Sequence, residues 1–188
     1  MLRLFTALEI PPDVRSALST MRGGLPGARW IDPENYHVTL RFIGDVEEYI
    51  AREAAFILGQ IRREAFDIKF EMLSPFGGNR PRAIVALLVQ TQPLMELQAE
   101  HERLLRRVGL EPEGRKFTPH VTLARLRHSS SFEVADYFST RGALRVPVFE
   151  PDRFVLFSSR DSVGGGPYVV EADYPLLEPI QPMRQAHR

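Results

Sequence analysis

Two hydrophobic periodicities alternate along the chain and predict its helices and strands. Apolar positions three or four residues apart are typical of amphipathic helices, and short apolar or alternating runs bounded by Gly or Pro are typical of strands. The helical pattern occurs at residues 13–22, 46–63, 93–108 and 132–138. The strand pattern occurs at residues 2–10, 36–43, 66–73, 83–90, 120–126, 144–149, 153–159 and 168–174.

The order of these elements is repeated once. A strand, a helix, a second strand, a second helix and further strands are followed by another series of the same kind. The repeat predicts an α+β fold of two pseudo-symmetric lobes, each an antiparallel-rich sheet with outer helices, and a cleft between the lobes. We expect residues 1–177 to form this single bilobal domain and residues 178–188 to form a polar C-terminal tail.

One tetrapeptide occurs twice, once in each predicted lobe. His-Val-Thr-Leu is found at residues 37–40 and again at residues 120–123. Because the chain has only five histidines, chance would produce such a repeat in about two of a thousand chains of average composition. The repeat therefore indicates a shared structural or chemical role.

Each copy of the tetrapeptide falls on a predicted strand, where alternate side chains share a face. His37 and Thr39 should point one way, while the Val and Leu of the same copy anchor the other face. The same alternation applies to His120 and Thr122. If the two strands border one cleft, two imidazoles and two hydroxyls meet in a small volume.

Composition excludes several classes of site. The chain has no cysteine, so it has no disulfide, no thiolate nucleophile and no Cys-based zinc site. Its 24 basic and 24 acidic residues balance, which argues against a general nucleic-acid coat but leaves room for a local basic cleft. Almost all the basic residues are arginine, which binds phosphate in a bidentate fork, although a coding preference explains most of them.

Neither a membrane span nor a secretion signal is predicted. No apolar run approaches the roughly 20 residues that a span needs. The first residues lack the long apolar stretch and the small-residue cleavage site of a signal peptide. We therefore expect a soluble, cytoplasmic protein, and a monomer.

Two histidines that face each other suit the hydrolysis of a phosphodiester. Imidazole exchanges protons near neutral pH, because its pKa is about 6.5 in water. In-line attack on phosphorus needs a base beside the water and an acid beside the leaving oxygen. The hydroxyls of Thr39 and Thr122 can stabilise the charge that grows on the non-bridging oxygens. A strained 2′,3′-cyclic phosphate would be a suitable substrate, and the chemistry requires neither a metal nor a cofactor.

The paired histidines also allow two alternative interpretations. One is a pair of strand histidines bonded within the core, and the other is a metal site. Zinc takes three or four protein ligands, and the motifs offer no obvious third one. The three histidines outside the motifs, His101, His128 and His187, are expected on the surface of a helix, in a loop and in the tail.

The paired His-x-Thr-x motifs resemble the signature of the 2H phosphoesterases. Within that superfamily the chain is similar to the RNA 2′,3′-cyclic phosphodiesterases, the LigT-like proteins historically called 2′-5′ RNA ligases. The resemblance covers nearly the whole chain and rests on residues 3–8, 29–30, 33–44, 81–82, 117–125 and 166–168. Residues 83–85 are Ala-Ile-Val, at a place where that family often has an aromatic residue.

The resemblance implies a LigT-like fold and the hydrolysis of a terminal 2′,3′-cyclic phosphate to a 2′-phosphate. It also implies that His37 is the acid that protonates the 3′ oxygen, and that His120 is the base that accepts a proton from water. The expected partner is an RNA with a 2′,3′-cyclic phosphate end, or a small cyclic nucleotide. Two further functions stay open: ligation that forms a 2′-5′ link, or its reversal, and binding of a nucleotide or RNA end without turnover.

Two arginines next to the motifs are candidates for substrate binding. Arg41 shares the parity of His37, so it could reach a phosphate. Arg125 faces away from His120 by strict alternation, which leaves a buried ion pair open as the alternative to a substrate contact unless a bulge redirects the side chain.

Three aromatic residues are candidates for stacking on a nucleobase: Phe5, Trp30 and Tyr168. Packing in the core or at the rim of the cleft is the simpler role for each of them. The sequence therefore predicts the catalytic groups more sharply than the substrate-binding ones.

Overall fold

The computed structural model describes residues 2–159 and 165–179. The predicted tail at residues 178–188 therefore lies almost entirely outside the described residues, as does His187.

Within the described residues, the four predicted helices and seven of the eight predicted strands are present. The helices are α1 (Pro12–Ser19), α2 (Glu48–Leu58), α3 (Gln92–Arg107) and α4 (Ser131–Ser139). The strands are β1 (Leu2–Glu9), β2 (Ala28–Trp30), β3 (His37–Val46), β4 (Phe70–Phe76), β5 (Ala83–Leu88), β6 (His120–Leu126), β7 (Arg153–Ser159) and β8 (Tyr168–Pro175). None of the described helices is both long enough and apolar enough to cross a membrane.

The elements differ from the sequence pattern in two places. The strand predicted at residues 144–149 is not formed, although Phe149 makes an isolated bridge to Ile68. Pro147 interrupts this segment, because proline has no backbone N–H to donate to a sheet. The sequence did not predict β2, because three residues are too few to show an alternation.

The described strands join one eight-stranded sheet. Its order is β4-β5-β6-β3-β1-β7-β8, and β2 pairs with β6. Every pairing between named strands is antiparallel, and the expected α+β fold is confirmed. The halves β4-β5-β6 and β3-β1-β7-β8 meet at a single residue pair, Val38 opposite Val121.

The strands on either side of this junction are equivalent. Counting outwards, β6 corresponds to β3, β5 to β1 and β4 to β7, so a pseudo-two-fold axis passes between Val38 and Val121. These valines occupy the same place in the repeated tetrapeptide. The fold therefore brings both copies of the repeat to the centre of the sheet.

One face of the sheet centre packs against the core. Val38 and Val121 are fully buried, and Leu40 and Leu123 are at most 2% exposed. They share one hydrophobic cluster with the buried apolar residues of α2 and α3. Burying a side chain of this kind contributes about 1.5–3 kcal/mol. The four anchors therefore fix the motif strands and leave the opposite face for polar groups.

His101 lies in the core, so its predicted surface position is wrong. It is fully buried on α3, on the face that also carries Leu97 and Leu104. Its Nδ1–H donates to the carbonyl of Leu97 over 2.8 Å, and its ring meets that of Phe154 edge-on with centroids 4.6 Å apart. The helical spacing from residue 97 to residue 101 already placed it on the apolar face.

The buried His101 should make the protein less stable in acid. Burial lowers the pKa of His101 to about 4, against about 6.5 in an unfolded chain. Between these values the unfolded chain binds the proton more readily, so the free energy of unfolding falls as the pH drops from 6.5 to 4. His101 should account for a loss of about 2 kcal/mol in the free energy of unfolding between pH 7 and pH 5, and His101→Phe should remove this loss. Urea unfolding at pH 7 and pH 5 measures the difference, and equal slopes in both proteins would contradict the assignment.

Candidate active site

The motif strands place four polar side chains on the sheet face that is turned away from the core. The antiparallel register at the centre sets His37 beside Thr122, and Thr39 beside His120. Residues opposite each other have Cβ atoms about 5 Å apart, and diagonal neighbours, such as the two histidines, are about 7–8 Å apart. All four side chains are partly exposed. The structure therefore brings together the four residues that the sequence singled out for catalysis.

Each imidazole is held by a backbone carbonyl two residues before it. The Nδ1–H of His37 donates to the carbonyl of Asn35 over 2.8 Å. The Nδ1–H of His120 donates to the carbonyl of Thr118 over 2.6 Å. Because a carbonyl can only accept, Nδ1 carries the proton in both rings and Nε2 is left to exchange a proton with a substrate.

Burial lowers the pKa of both imidazoles. Loss of hydration lowers the pKa of His37 to about 4; the hydrogen bond to Asn35 opposes this shift, and the charges of His120 and Arg125 add to it. Burial also lowers the pKa of His120, opposed by its hydrogen bond to Thr118 and assisted by Arg125. Both rings are therefore mostly neutral at pH 7 when no anion lies beside them.

A β-bulge follows the threonine of each motif. In β3 the register against β1 shifts between Thr39 and Arg41, so the leucine between them is an extra residue. In β6 the register against β5 shifts in the same way between Thr122 and Ala124. A bulge reverses the alternation of the side chains that follow it. The two positions that follow each motif therefore point to the face opposite to the one that strict alternation predicts.

The first bulge turns Arg41 into the core, away from the face of the histidines, which argues against its predicted contact with the substrate. Its side chain is 6% exposed. The guanidinium donates to the carboxylate of Glu102 on α3 and to the carbonyls of Phe42 and Glu111. Arg41 thus ties β3 to α3 and to the loop that precedes β6.

The second bulge has the opposite effect on Arg125, which it brings to the face of the histidines. The side chain is exposed. On this face it is the next side chain after Thr122 along β6, and its positive charge contributes to the lowered pKa of both His37 and His120. The condition that the sequence set for Arg125, a bulge in its strand, is therefore met.

Aromatic rings surround His37. The ring centroids of Phe5 and Tyr168 each lie 5.1 Å from that of His37. Phe5 is only 3% exposed and also contacts Phe42 and Phe157. It supports the imidazole and offers no free face to a base, which argues against the predicted contact between Phe5 and the substrate. Tyr168 is partly exposed and meets the imidazole edge-on.

Two aromatic residues near the histidines were missed by the sequence prediction. Phe42 is 55% exposed, and occupies on β3 the position that Arg125 occupies on β6. Phe76 lies edge-on to His120, with ring centroids 4.7 Å apart. Knowledge of the bulge in the first motif would have placed Phe42 on the face of the histidines. Phe76 lies beyond residue 73, at which the predicted strand ended.

Trp30, the third candidate for stacking on a base, packs against α4. Its ring centroid lies 5.9 Å from that of Tyr137. It is partly buried against a small hydrophobic cluster that includes Tyr137 and Leu126. Packing therefore accounts for Trp30.

Two glycines before β8 let the chain pack closely against the residues that precede and surround the first motif. Gly166 has φ +89°, and a Cβ on it would lie 2.4 Å from Cγ of Asn35, whose carbonyl holds His37. The N–H of Gly165 donates to the hydroxyl of Tyr168 over 2.9 Å. This close approach explains why residue 166, one of the positions on which the family resemblance rests, is glycine.

The groups around the histidines suit an anion. Among the described residues, no three His, Cys, Asp or Glu side chains are grouped closely enough to hold a metal ion. Zinc takes three or four protein ligands. Two hydroxyls, one guanidinium and two imidazoles instead offer the donors that a phosphate accepts.

Known proteins resemble this chain in sequence. A family model described as LigT-like phosphoesterase matches residues 8–85 and 88–168. The RNA 2′,3′-cyclic phosphodiesterase of Aeropyrum pernix is 41% identical over 106 residues, a match that spans 55% of this chain and 60%, less than two thirds, of that protein. The protein of the same name from Aquifex aeolicus is 29% identical over 151 residues, which cover 78% of this chain and 80% of that protein.

Solved structures have the same fold. The crystal structure of E. coli LigT in apo form superposes with a TM-score of 0.76 at 22% identity, over 94% of this chain and 98% of that chain. E. coli LigT complexed with 3′-AMP gives a TM-score of 0.75 at 22% identity, over 93% of this chain and 98% of that chain. Because the family model covers most of the sequence, the chain belongs to the LigT-like phosphoesterases, and its identification as a 2H phosphoesterase is confirmed.

Proposed function

We propose that this protein hydrolyses 2′,3′-cyclic phosphate ends of RNA to 2′-phosphates. The proposal rests on two imidazoles in the same tautomer, on one sheet face, on either side of a pseudo-two-fold axis. The name RNA 2′,3′-cyclic phosphodiesterase, shared by several relatives, supports it. E. coli LigT has been solved in complex with 3′-AMP, a nucleotide whose phosphate lies on the 3′ oxygen, and this complex also supports the proposal.

A phosphate between the imidazoles would have a proton acceptor on one side and a proton donor on the other. Nε2 of His120 takes a proton from water as the water oxygen attacks phosphorus. The bond between phosphorus and the 3′ oxygen breaks, and the protonated Nε2 of His37 gives its proton to that oxygen. The phosphate stays on the 2′ oxygen, and proton exchange with solvent restores the two histidines.

Negative charge on the non-bridging oxygens must be stabilised as the water attacks. The hydroxyls of Thr39 and Thr122 lie beside the imidazoles and can donate to these oxygens. Arg125 can bind the same oxygens through its planar guanidinium. A donor of this kind typically contributes a factor of about 10² to 10³ in turnover.

The lowered pKa values should give the reaction a distinctive pH profile. In the free protein both imidazoles lose their protons below pH 6.5, that of His37 near pH 4. A bound phosphate raises both pKa values, because a neighbouring negative charge favours imidazolium. We expect kcat/KM, which reports the free protein, to fall with rising pH already below pH 6.5, and kcat to fall about one pH unit or more higher. Initial rates between pH 4.5 and 9 measure both, and coincident descending limbs would count against the pair.

The direct test of the function uses a short RNA that ends in a 2′,3′-cyclic phosphate. Hydrolysis gives a strand of the same length with a 2′-phosphate, which phosphorus NMR identifies. A longer strand in the presence of a 5′-hydroxyl RNA indicates ligation, and an unchanged cyclic phosphate indicates binding without turnover. Either result in place of the 2′-phosphate overturns the proposal. Activity should persist in EDTA, and its loss with rescue by zinc would favour a metal site.

The proposed partner is therefore an RNA end or a small cyclic nucleotide, and no metal or cofactor has a part in the proposed mechanism. A monomeric state and a cytoplasmic location stay predictions from the sequence. Light scattering of the purified protein would test the first, and the fractionation of cells that produce it would test the second.

A further inference from the structure

The sheet face that carries the histidines continues beyond Arg125 to Arg127. Both arginines are exposed, whereas Leu126 between them is buried in the hydrophobic cluster against α4, so the two arginines share one face. The N–H of Arg127 donates to the carbonyl of Gly27, which extends the pairing of β6 with β2 by one residue. Side chains two residues apart on a strand are about 7 Å apart, so Arg127 lies one step further from the imidazoles than Arg125.

The guanidinium of Arg127 is open to a ligand. Within residues 2–159 and 165–179, its side chain has neither an ion pair nor a hydrogen bond. The residue across the strand pair from it is Gly27, which has no side chain to cover it. By contrast, carboxylates hold the guanidiniums of Arg41, Arg63 and Arg153. Arg127 can therefore bind an anion that the protein itself does not supply.

Positive charge predominates at this end of the sheet. The loop between β4 and β5 carries Arg80 and Arg82, which are both exposed and have no carboxylate partner among the described residues. This loop lies against the end of β6, because the carbonyl of Arg82 accepts from the N–H of Leu126. No acidic residue occurs in the three segments that meet here, residues 23–31, 72–88 and 119–132. In a chain whose charges balance overall, these arginines form a local cationic surface.

The acidic residue that follows this surface along the chain is engaged elsewhere. Glu133 accepts from both the N–H and the hydroxyl of Ser130, at the N-terminus of α4. These hydrogen bonds lower the pKa of Glu133, so its carboxylate is charged at pH 7. A negative charge at this position stabilises the helix, and it leaves the guanidinium of Arg127 without a partner.

The other exit of the cleft has the opposite character. By the pseudo-two-fold axis, the counterpart of Arg125 is Phe42, an exposed aromatic residue. Beyond it the chain carries Asp45, Glu47 and Glu48, all exposed, before α2 begins to turn away. Phosphates are repelled by these carboxylates and attracted by the arginines at the end of β6. The asymmetry therefore favours a nucleic acid strand that leaves the cleft over Arg127.

We propose that Arg127 binds the second phosphate from the 3′ end of an RNA strand, and that the strand continues from there towards Arg80 and Arg82. The inference rests on the proposed function and makes its substrate more specific. A cyclic phosphate ends the strand on the 3′ side, so the rest of the strand follows through the phosphate on the 5′ side of the last nucleoside. With the reacting phosphate at Arg125, that next phosphate lies within reach of Arg127. An RNA strand is then a better substrate than a nucleoside 2′,3′-cyclic phosphate.

Binding of reaction products tests the surface without turnover. A dinucleotide with a 2′-phosphate end carries the second phosphate, and adenosine 2′-phosphate lacks it. By calorimetry, the protein should bind the dinucleotide about tenfold more tightly or better, as a charge-assisted hydrogen bond typically allows. Arg127→Gln should abolish most of this preference, and Arg127→Lys should keep part of it. The matched control is Arg106→Gln, which removes one charge from an exposed position of α3, on the other face of the sheet, and should leave the preference unchanged.

Rates extend the test to the path of the strand. For a dinucleotide with a 2′,3′-cyclic phosphate end, Arg127→Gln should lower kcat/KM about tenfold or more, while the value for adenosine 2′,3′-cyclic phosphate should fall by less than about twofold. The slope of log kcat/KM against log salt concentration should become shallower by about 0.7, as for one phosphate contact of a single strand. Arg80→Gln combined with Arg82→Gln should lower kcat/KM for a hexanucleotide with the same end.

The outcomes separate this inference from the proposed function. Equal losses for the dinucleotide and for adenosine 2′,3′-cyclic phosphate in Arg127→Gln overturn the inference, as does the absence of any preference for the dinucleotide in the unaltered protein. An unchanged rate for the hexanucleotide in the combined variant overturns the path over the loop between β4 and β5. Binding that prefers the dinucleotide, with no hydrolysis of either cyclic phosphate, overturns the proposed function alone.

Discussion

Alanine in place of His37 or His120 should lower the hydrolysis of a 2′,3′-cyclic phosphate end by roughly 10²- to 10⁴-fold. Each imidazole supplies one of the two proton transfers, and the neighbouring threonines cannot exchange protons near neutral pH. Both histidines are partly exposed and project from the face opposite the core. Their removal should therefore leave the fold intact, and initial rates at saturating and limiting substrate measure the loss.

His128→Ala is a matched control, because this histidine is exposed and lies outside the motifs. It should keep full activity. The double variant, in which both motif histidines are alanine, should be little less active than the less active of the two single variants. The effects of groups that act as one unit are not additive. Full activity in both single variants, with thermal unfolding unchanged, would show that the imidazoles do not carry out the reaction.

The repeat in the sequence was sufficient to predict which side chains of each copy share a face. Strand periodicity places His and Thr on one face and Val and Leu on the other, and that alternation holds within each tetrapeptide. What the sequence could not show was the pairing of the two copies with each other. The contact between Val38 and Val121 joins residues far apart along the chain, and only the assembled sheet places them on a symmetry axis.

The two bulges account for the main errors around the site. A pattern with period two has no signal for an extra residue, so Arg41 was placed toward the cleft and Arg125 away from it. Each bulge reverses one of these directions. The same shift exposes Phe42, which no alternation rule would have assigned to the cleft. Of the two candidate arginines, the bulges leave only Arg125 on the face of the histidines.

The groups that hold the imidazoles in place could not be identified from the sequence either. Asn35 and Thr118 hold the rings through backbone carbonyls, which any residue type supplies. Phe76 reaches His120 from another strand. Such contacts depend on tertiary packing, so residue types and spacing carry little information about them. Gly166 is an exception, because its positive φ and its closeness to Asn35 restrict the position to glycine.

Methionine in place of Arg41 should destabilise the protein by about 3 kcal/mol while Arg125→Met changes its stability by no more than about 0.5 kcal/mol. Removing the buried guanidinium leaves Glu102 and the carbonyl of Glu111 without their donor, whereas Arg125 is exposed. The cost for Arg41 should not reach that of a fully buried pair, because the Glu102 side chain is 23% exposed and also accepts from the N–H of Glu113. Urea unfolding with equal m-values measures both changes.

The effects on activity should be reversed, and this reversal separates the roles of the two arginines. Arg125→Met should lower kcat by about 10²-fold or more, as expected for the loss of a donor to the reacting phosphate. Arg41→Met, assayed well below its lowered unfolding temperature, should keep its KM, because the side chain lies on the core face. Should Arg41→Met keep its stability and instead raise KM sharply, Arg41 would reach the substrate after all. In that case the first bulge would not have the consequence assigned to it. The opposite effects expected for the two arginine variants, on stability and on activity, therefore test in solution the two register shifts that shape the site.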